Sequence, residues 1–347
     1  MRTCRWLLLA ACMGLGGCAS IAAHYIETPG HHGPTDEFKQ VLAKGTDYTQ
    51  HDFTTRDGLR LAYWYSPPRD VPIKETFSEH RVDGALRGFS FNFEFPDADP
   101  HTTPPATRGS VVLLHPWGQN AAQMAFWGTR FSSAGYVTVL PALRSQGESG
   151  DAPVGYGPRE ADDMVQLIHA LQAEHALPAP LYLFGYSYGA TVALFAAPQL
   201  PDLRGVVAMA PYVHPVDVIL RAPATGWFAP KWWARFFPPR TLRKAIERAD
   251  RKLGIDLAAI DPGDALASSH ACMLLLRGSD DILIADGALR RLAARSPRAD
   301  NVEIPGEGHI TLFFRGQQLS ASIIAWVQSV APNRTEPCPN FAPPAAE

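Results

Sequence analysis

The sequence lacks the features that mark several large classes of protein. Its formal net charge is −3, so it has no basic excess of the kind that nucleic-acid-binding domains carry. It contains no internal repeat, no P-loop, no dinucleotide-binding fingerprint and no cluster of metal-ligating residues. Beyond the N-terminus, no apolar run approaches the roughly 20 residues that a membrane-spanning helix needs. We therefore expect no nucleic-acid partner, no metal and no cofactor.

The N-terminus has the arrangement of a bacterial export signal. Two arginines precede an apolar stretch over residues 6–15, which ends in Leu-Gly-Gly-Cys at 15–18. This arrangement resembles the lipobox of bacterial lipoproteins, which implies that residues 1–17 are removed and that Cys18 carries a diacylglyceryl lipid. Ala19 follows the cysteine, which in Gram-negative bacteria indicates the periplasmic face of the outer membrane. An ordinary secretory signal and an uncleaved helix are the alternatives.

Cysteine is scarce, with five residues in a chain of 347. Two of the five lie in the N-terminal segment, which leaves Cys18, Cys272 and Cys338. If Cys18 is acylated, the other two are available to pair in an oxidising compartment. Their separation in sequence does not give their distance in space, so the pairing stays open.

Composition divides the rest of the chain into three parts. Residues 18–50 are polar and are predicted to form a lipid-anchored tether without a core of its own. Residues 51–332 carry the apolar runs of a folded domain, which begins with a predicted β-hairpin around the Asp57-Gly58 turn. Residues 333–347 are rich in proline and are predicted to be disordered.

Short β-rich runs alternate with helical segments along the folded domain. The strands are expected at residues 111–114, 137–140, 181–184, 206–209, 272–277 and 301–304. The helices are expected at residues 120–134, 158–176, 188–197, 286–294 and 318–330. The alternating run at residues 88–95 predicts an extra hairpin at the sheet edge. The whole pattern predicts an α/β fold, in which helices cover both faces of a mostly parallel sheet.

One serine stands between two glycines where a strand gives way to a helix. The run Gly-Tyr-Ser-Tyr-Gly spans residues 185–189, directly after the strand at 181–184. The pattern G-x-S-x-G is weak alone, but a strand-to-helix turn is the context in which it presents a nucleophile. Each glycine is expected where a Cβ would collide with a neighbouring strand or helix, and Ser187 is expected to project its hydroxyl from the sheet. A glycine-rich packing turn is the alternative.

A serine hydroxyl needs a base to take its proton, and two downstream segments offer partners. Asp280 and Asp281 follow the strand at 272–277, and His309 follows the last strand. All three positions lie at the carboxyl ends of strands, where open α/β sheets build their sites. The order Ser…Asp…His along the chain therefore predicts an acid and a base for Ser187.

Together these segments resemble the α/β-hydrolase fold over residues 51–330. The acid loop of that family has the pattern G-x-x-D, followed by two residues and an aliphatic one. This pattern implies that Asp281, and not Asp280, is the acid. His309 stands at the family's Gly-His signature, so the resemblance implies a triad of Ser187, His309 and Asp281.

The resemblance also implies an oxyanion hole. The residues His-Pro-Trp-Gly at 115–118 resemble the family's His-Gly-x-Gly loop, with Pro116 in place of the first glycine. The donors implied by position are the backbone N–H groups of Trp117 and Tyr188, which the proline leaves available. His115 is expected to brace the loop and not to act as a second base.

Two further stretches resemble structural parts of the family. In the loop at residues 141–149, Ala142 stands where an aspartate is common. Glu160 and Asp163 begin the following helix, where their charge complements the helix dipole. Either acid is expected to pair with Arg144.

An insertion at about residues 212–268 is expected to form a cap over the site. It contains an aromatic segment at residues 227–237 and a basic run that continues to Lys252. Three interpretations remain open for these residues. They form a pocket roof for an acyl substrate with an anionic group, a face that rests on anionic lipid, or a lid packed on its own apolar side with solvated charges.

The leading hypothesis is a serine hydrolase that cleaves an acyl bond of a small-molecule substrate, most simply a carboxylic ester, through an acyl-enzyme. Serine peptidases and acyltransferases share every one of these parts and stay open as alternatives. Dehalogenase and hydratase relatives usually carry aspartate as nucleophile, so Ser187 argues against both. A non-catalytic envelope-binding lipoprotein would be favoured by loss of a triad member, and none is missing.

Overall fold

The structure of the protein is a computed structural model. It describes residues 17–36, 39–40, 42, 46–82, 85–95, 103–225, 234, 236–333 and 335–344. Residues 1–16 of the predicted export signal lie outside this described part. So does the aromatic segment 227–237, except for residues 234, 236 and 237.

Eight of the strands form one central sheet. In chain order the strands are β1 (Thr49–Thr54), β2 (Arg60–Ser66), β3 (Lys74–Val82), β4 (Ala85–Glu94), β5 (Gly109–Leu114), β6 (Tyr136–Pro141), β7 (Leu181–Tyr186), β8 (Leu203–Met209), β9 (Cys272–Gly278) and β10 (Ala299–Ile304). The order across the sheet is β1-β2-β6-β5-β7-β8-β9-β10. Strand β2 runs antiparallel to both of its neighbours, and the other pairs are parallel. The predicted mostly parallel sheet is confirmed.

Helices cover both faces of this sheet. They are α1 (Gly17–Glu27), α2 (Ala125–Ser133), α3 (Pro158–Ala173), α4 (Tyr188–Ala196), α5 (Pro215–Thr225), α6 (Pro239–Leu253), α7 (Gly263–Ser268), α8 (Ala288–Ala293), α9 (His309–Phe314) and α10 (Gly316–Ser329). Helices α3, α4, α6 and α8 contribute buried side chains to one apolar cluster of the core, and α2, α9 and α10 contribute to the other. Strands β5, β6, β7 and β9 are buried along their whole length, as their continuous apolar runs predict. Among the helices of the described residues, none is long and apolar enough to cross a membrane.

Helix α9 is missing from the sequence prediction. It has six residues, which is too short for a helical apolar period to show in the sequence. Its first residue is His309, so this helix fixes the direction of the histidine.

The hairpin at residues 88–95 differs from its prediction as an edge of the central sheet. Strands β3 and β4 pair only with each other in the part of the chain that the structure describes. Phe91 packs against Phe126 of α2 and Phe314 of α9, with ring centroids 4.9 and 4.6 Å apart. Glu75 of β3 also pairs with Arg130 of α2. The aromatic side chains of the hairpin therefore pack against helices and not against a neighbouring strand.

Residues 18–50 are not the unpacked tether that their composition predicts. Helix α1 buries Ala22, Ala23 and Ile26 and packs along α6 of the insertion. At its C-terminal end, Glu27 pairs with Lys252 of α6 at 2.7 Å. The composition argument is wrong here because a few small or apolar side chains at helical spacing are enough to seat one helix on another.

The C-terminal residues also differ from their prediction as a disordered tail. Cys338 forms a disulfide with Cys272 of β9, and their Cα atoms lie 5.5 Å apart. Phe341 is buried, and the indole N–H of Trp326 donates to the carbonyl of Pro339 at 2.9 Å. Proline content predicted disorder, but one covalent link and one buried ring hold residues 335–344 against the sheet.

Candidate active site

Ser187 occupies a strained turn between β7 and α4. Its φ of 53° and ψ of −113° lie where a residue with a side chain is rarely found. A Cβ on Gly185 would lie 2.4 Å from the carbonyl oxygen of Gly189, and a Cβ on Gly189 would lie 2.3 Å from that of Leu114. The two glycines therefore let the helix start close against β5 and β7, and the serine hydroxyl projects from the turn.

His309 joins Ser187 to Asp281. Its Nε2 lies 2.9 Å from Ser187 Oγ, and its Nδ1 lies 2.8 Å from Asp281 Oδ2. The other carboxylate oxygen accepts the backbone N–H groups of Leu283 and Ile284 at 2.8 and 2.9 Å. Because a carboxylate only accepts hydrogen bonds, it fixes the imidazole tautomer with the proton on Nδ1 and leaves Nε2 to accept the serine proton.

The neighbouring aspartate does not take part in this arrangement. The side chain of Asp280 is exposed and accepts a hydrogen bond from Ser279 at 3.0 Å. The side chain of Asp281 is fully buried against His309. The structure therefore brings together Ser187, His309 and Asp281 and leaves Asp280 at the surface.

Arg277 holds the loop that carries Asp281, and the sequence analysis missed it. The buried guanidinium donates to the backbone carbonyls of Asp281 and Ile284 at 3.0 and 3.1 Å. It also pairs with Glu303 at 2.8 Å and with Asp286. A charged residue at the end of an apolar strand is rarely buried unless it is paired. That rule is the signal that points to Arg277 in the sequence.

Tyr186 supports the histidine from below. Its hydroxyl donates to the backbone carbonyl of His309 at 2.8 Å, and its ring packs against the imidazole with centroids 5.5 Å apart. Burial raises the pKa of Tyr186 well above its ordinary value, so the hydroxyl stays a donor. The residue occupies a variable position of G-x-S-x-G, and no sequence signal marks its role.

The predicted oxyanion donors lie on Tyr188, the residue after Ser187, and on Trp117, whose ring contacts Tyr188. The backbone N–H groups of Trp117 and Tyr188 donate no hydrogen bond to any described residue. The Trp117 ring packs against the rings of Tyr156 and Tyr188, with centroids 4.9 and 5.0 Å apart. The next residue, Gly118, donates its N–H to the buried side chain of Gln146 at 2.7 Å. The loop is thus held in place, and the N–H groups of Trp117 and Tyr188 have no acceptor among the described residues.

His115 braces this loop, as expected. Its Nε2 accepts the backbone N–H of Leu143 at 3.0 Å, so its proton lies on Nδ1, which donates to the Pro116 carbonyl at 2.8 Å. Burial lowers the pKa of His115 to about 4, against an ordinary value of 6.5. A neutral imidazole whose two nitrogens are both occupied has no capacity to act as a second base.

The acids at the start of α3 divide between two tasks. Asp163 forms the bidentate pair with Arg144, at 2.7 and 2.6 Å, and both side chains are buried. Glu160 instead accepts the backbone N–H groups of Gly155 and Gly157 at 2.7 and 2.9 Å. Of the two acids that the sequence offered as partners of Arg144, Asp163 is therefore the one that pairs with it.

The N-terminal segment contacts residues that support the oxyanion loop at residues 115–118. The hydroxyl of Tyr156 donates to the backbone carbonyl of Ile26 at 2.7 Å. The side-chain amide of Asn120 donates to the carbonyl of His32 at 2.8 Å. Residues that were predicted to be a tether therefore contact the support of the oxyanion loop.

Comparisons with known proteins identify the family to which this fold belongs. A model of the alpha/beta hydrolase family matches residues 111–321. A search of curated proteins found no match. Among the described residues, no group of three or more His, Cys, Asp or Glu side chains is placed to hold a metal ion.

Several solved structures share the fold at low sequence identity. An esterase from Pyrococcus furiosus is 16% identical with a TM-score of 0.59, over 87% of this chain and 95% of that chain. An alpha/beta hydrolase from a Penicillium species is 15% identical with a TM-score of 0.54, over 80% and 96%. An esterase from Exiguobacterium antarcticum is 14% identical with a TM-score of 0.52, over 80% and 99%. Since the family model spans more than half of its length, this chain belongs to the alpha/beta hydrolase family.

Proposed function

We propose that this protein is a serine hydrolase that cleaves a carboxylic ester through an acyl-enzyme on Ser187. The observation that carries the proposal is the continuous hydrogen-bonded series from Asp281 through His309 to a serine on a strained turn. A packing turn requires no such series. The names of the two similar esterases favour an ester over an amide substrate.

In the first half of the reaction, Ser187 Oγ attacks the ester carbonyl as its proton passes to His309 Nε2. Asp281 stabilises the imidazolium through Nδ1–H and does not itself take the proton. The backbone N–H groups of Trp117 and Tyr188 donate to the oxyanion of the tetrahedral intermediate. His309 then gives its proton to the leaving alkoxide, which departs as an alcohol and leaves an acyl-serine.

In the second half, water replaces the alcohol. His309 Nε2 takes a proton from the water as its oxygen attacks the acyl carbonyl, and the same two N–H groups bind the second oxyanion. The intermediate collapses, the carboxylic acid leaves, and His309 returns the proton to Ser187 Oγ. The α4 N-terminus adds a favourable dipole at the oxyanion in both halves.

An active-site fluorophosphonate probe tests the assignment. We expect rapid labelling of the parent protein and none of Ser187→Ala, because only that hydroxyl is activated. The exposed serine of β3 offers a matched control, and Ser78→Ala should label at the parental rate. Labelling of Ser187→Ala at the parental rate would contradict the proposal. A series of p-nitrophenyl esters and the matching anilides then separates esterase from peptidase activity.

We propose in addition that Cys18 carries a lipid and that the protein lies in the bacterial cell envelope, on the periplasmic face of the outer membrane. The residues at 15–18 support this proposal, and Cys18 lies in the first turn of α1, beside the processing point. Metabolic labelling with an alkyne analogue of palmitate tests it. The double variant Cys272→Ser/Cys338→Ser should keep the label, and Cys18→Ser should lose it; retention of the label in Cys18→Ser would contradict the lipid assignment.

A further inference from the structure

Two large apolar side chains are exposed side by side on α1. Ile21 is 43% exposed and Tyr25 is 67% exposed, and they are four residues apart, so they share one face of the helix. Cys18 lies three residues before Ile21 and borders the same face. The opposite face buries Ala22 and Ile26. The inner face of α1 is therefore buried, whereas Ile21 and Tyr25 on its outer face are exposed to solvent.

A row of cations lies next to this face. The exposed basic residues of α6 are Arg240, Arg243, Lys244, Arg248, Arg251 and Lys252. Arg248 donates to Ser20 of α1 at 2.9 Å, and Lys252 pairs with Glu27 at 2.7 Å, so the row runs along α1. Four of the six, Arg240, Arg243, Lys244 and Arg251, form no ion pair with any residue of the described ranges.

The basic row stands out against the charge of the whole molecule. The chain has a net charge of −3, whereas the outer face of α6 carries six cations and one exposed acid, Glu247. This excess favours a negatively charged partner. The apolar part consists of two side chains, which is far less than the roughly 800 Å² that each side of a stable protein interface buries. A bilayer needs no such complementary area, because apolar side chains enter it singly while cations bind its headgroups.

We propose that the outer faces of α1 and α6 form a surface that rests on an anionic phospholipid bilayer. Ile21 and Tyr25 enter the headgroup region, where a tyrosine keeps its ring in the apolar layer and its hydroxyl in the wet one. The basic row binds the lipid phosphates, and each cation near an anionic surface strengthens binding roughly fivefold. The surface acts independently of the ester hydrolysis proposed above. A lipid on Cys18 would enter the same membrane from the border of the same face.

Hydroxyl-radical footprinting of the full chain in vesicles tests this surface. The protein is reconstituted into phosphatidylcholine vesicles with no phosphatidylglycerol or with 30 mol% phosphatidylglycerol, and oxidation of Tyr25 is measured. We expect at least a threefold drop in Tyr25 oxidation when the anionic lipid is present. The drop should disappear in 0.5 M NaCl, where the screening length falls well below 8 Å. Because the readout is local, it reports the surroundings of Tyr25 itself and not the attachment of the whole chain to the vesicle.

Charge reversal identifies the cations responsible. Lys244→Glu/Arg251→Glu should abolish the lipid-dependent protection of Tyr25. Arg56→Glu/Arg290→Glu makes the same change in charge at two exposed arginines outside α6, and it should retain the protection. The thermal midpoint of each variant shows that it is folded. Equal oxidation of Tyr25 in both vesicles would overturn the proposal, and equal protection in both would indicate a second copy of the chain or apolar contact alone and overturn it too.

Discussion

On one side of Ser187, the oxyanion loop is held by aromatic rings and neutral hydrogen bonds. On the other side, the loop of Asp281 is held by the charge of Arg277 and its carboxylate partners. The neutral side rests on the stacking of Trp117 and on an imidazole, His115, that burial keeps unprotonated. The charged side rests on one buried guanidinium that makes four contacts with a single loop and its neighbouring strand.

The difference shows that the two sides fail in different ways. A loop held by a neutral imidazole is weakened when acid forces a proton onto that group, whereas a loop held by guanidinium keeps its cation at every pH at which proteins fold. When an aromatic ring is truncated, the stabilisation that it gives falls in proportion to the contact area that is removed. A buried cation, in contrast, leaves several acceptors without a donor when it is removed. The following changes separate the two sides, from the largest expected effect to the smallest.

Asp281→Asn should lower kcat by about 10⁴, because the amide favours the wrong imidazole tautomer at His309. Steady-state ester hydrolysis measures this change. Asp280→Asn is the matched control, and its kcat should stay within about threefold of the parent, since that side chain is exposed. The reverse order would show that Asp280 is the acid.

Acid should weaken the neutral side through His115. Its pKa is about 4 in the folded protein and 6.5 ordinarily. As the pH falls, the imidazole is therefore protonated in the unfolded chain before it is protonated in the folded protein. The folded state should therefore lose stability between pH 6.5 and 4, by roughly 2 to 3 kcal/mol at pH 4.5.

Urea unfolding at pH 7.0 and pH 4.5 measures the loss for the parent and for His115→Gln. The glutamine does not titrate, so this variant should lose less stability by the amount that His115 contributes. If both proteins lose the same stability, the buried imidazole does not carry the acid sensitivity.

Arg277→Gln should lower kcat by about 10² with KM within twofold, because a shift of about 1 Å in Asp281 misaligns His309. Arg277→Lys should recover only part of the loss, since an ammonium reaches fewer of the four acceptors. If Arg277 only stabilised the fold, the kcat of the folded protein would not depend on a cation at this position. Partial recovery of kcat in Arg277→Lys therefore indicates a positioning role. A fall confined to KM would contradict a positioning role.

Trp117→Ala should lower kcat/KM by about tenfold, because the loop keeps its backbone donor but loses the ring that fixes it. Trp117→Phe should stay close to the parent, since a phenyl ring retains most of the contact with Tyr156 and Tyr188. If both variants match the parent, the hydrogen bond from Gly118 to Gln146 holds the loop unaided.

The sequence was sufficient for the parts of this molecule that follow local rules. The buried strands could be predicted because an uninterrupted apolar run needs cover on both faces, and the turn at Ser187 because only glycine fits at residues 185 and 189. The resemblance to the family's acid loop implied Asp281 and not Asp280, and it is the side chain of Asp281 that lies against His309. In each case the signal lies within a few residues of the feature.

The parts that the sequence did not predict depend on contacts distant along the chain. Helix α1 packs on a helix that lies more than 200 residues further along. Residues 335–344 are held by a disulfide whose cysteines are 66 residues apart. Composition predicted a tether and a disordered tail for these segments because it measures what a segment buries within itself. It does not report what a distant surface offers.

Ile26 and His32 contact Tyr156 and Asn120, two residues that support the oxyanion loop, so these contacts decide where a recombinant form of this protein should begin. A form that begins at Thr46, just before the first strand, keeps every strand of the sheet but removes the carbonyl acceptor of the buried Tyr156 hydroxyl. It also removes the partner of Asn120. In such a form we expect a less well held oxyanion loop, and inhibitor screens or crystals made with it would report on that loosened loop. A form that begins at Cys18, the first residue after the proposed cleavage, keeps these contacts, and its N-terminal helix belongs in any library designed to alter substrate preference.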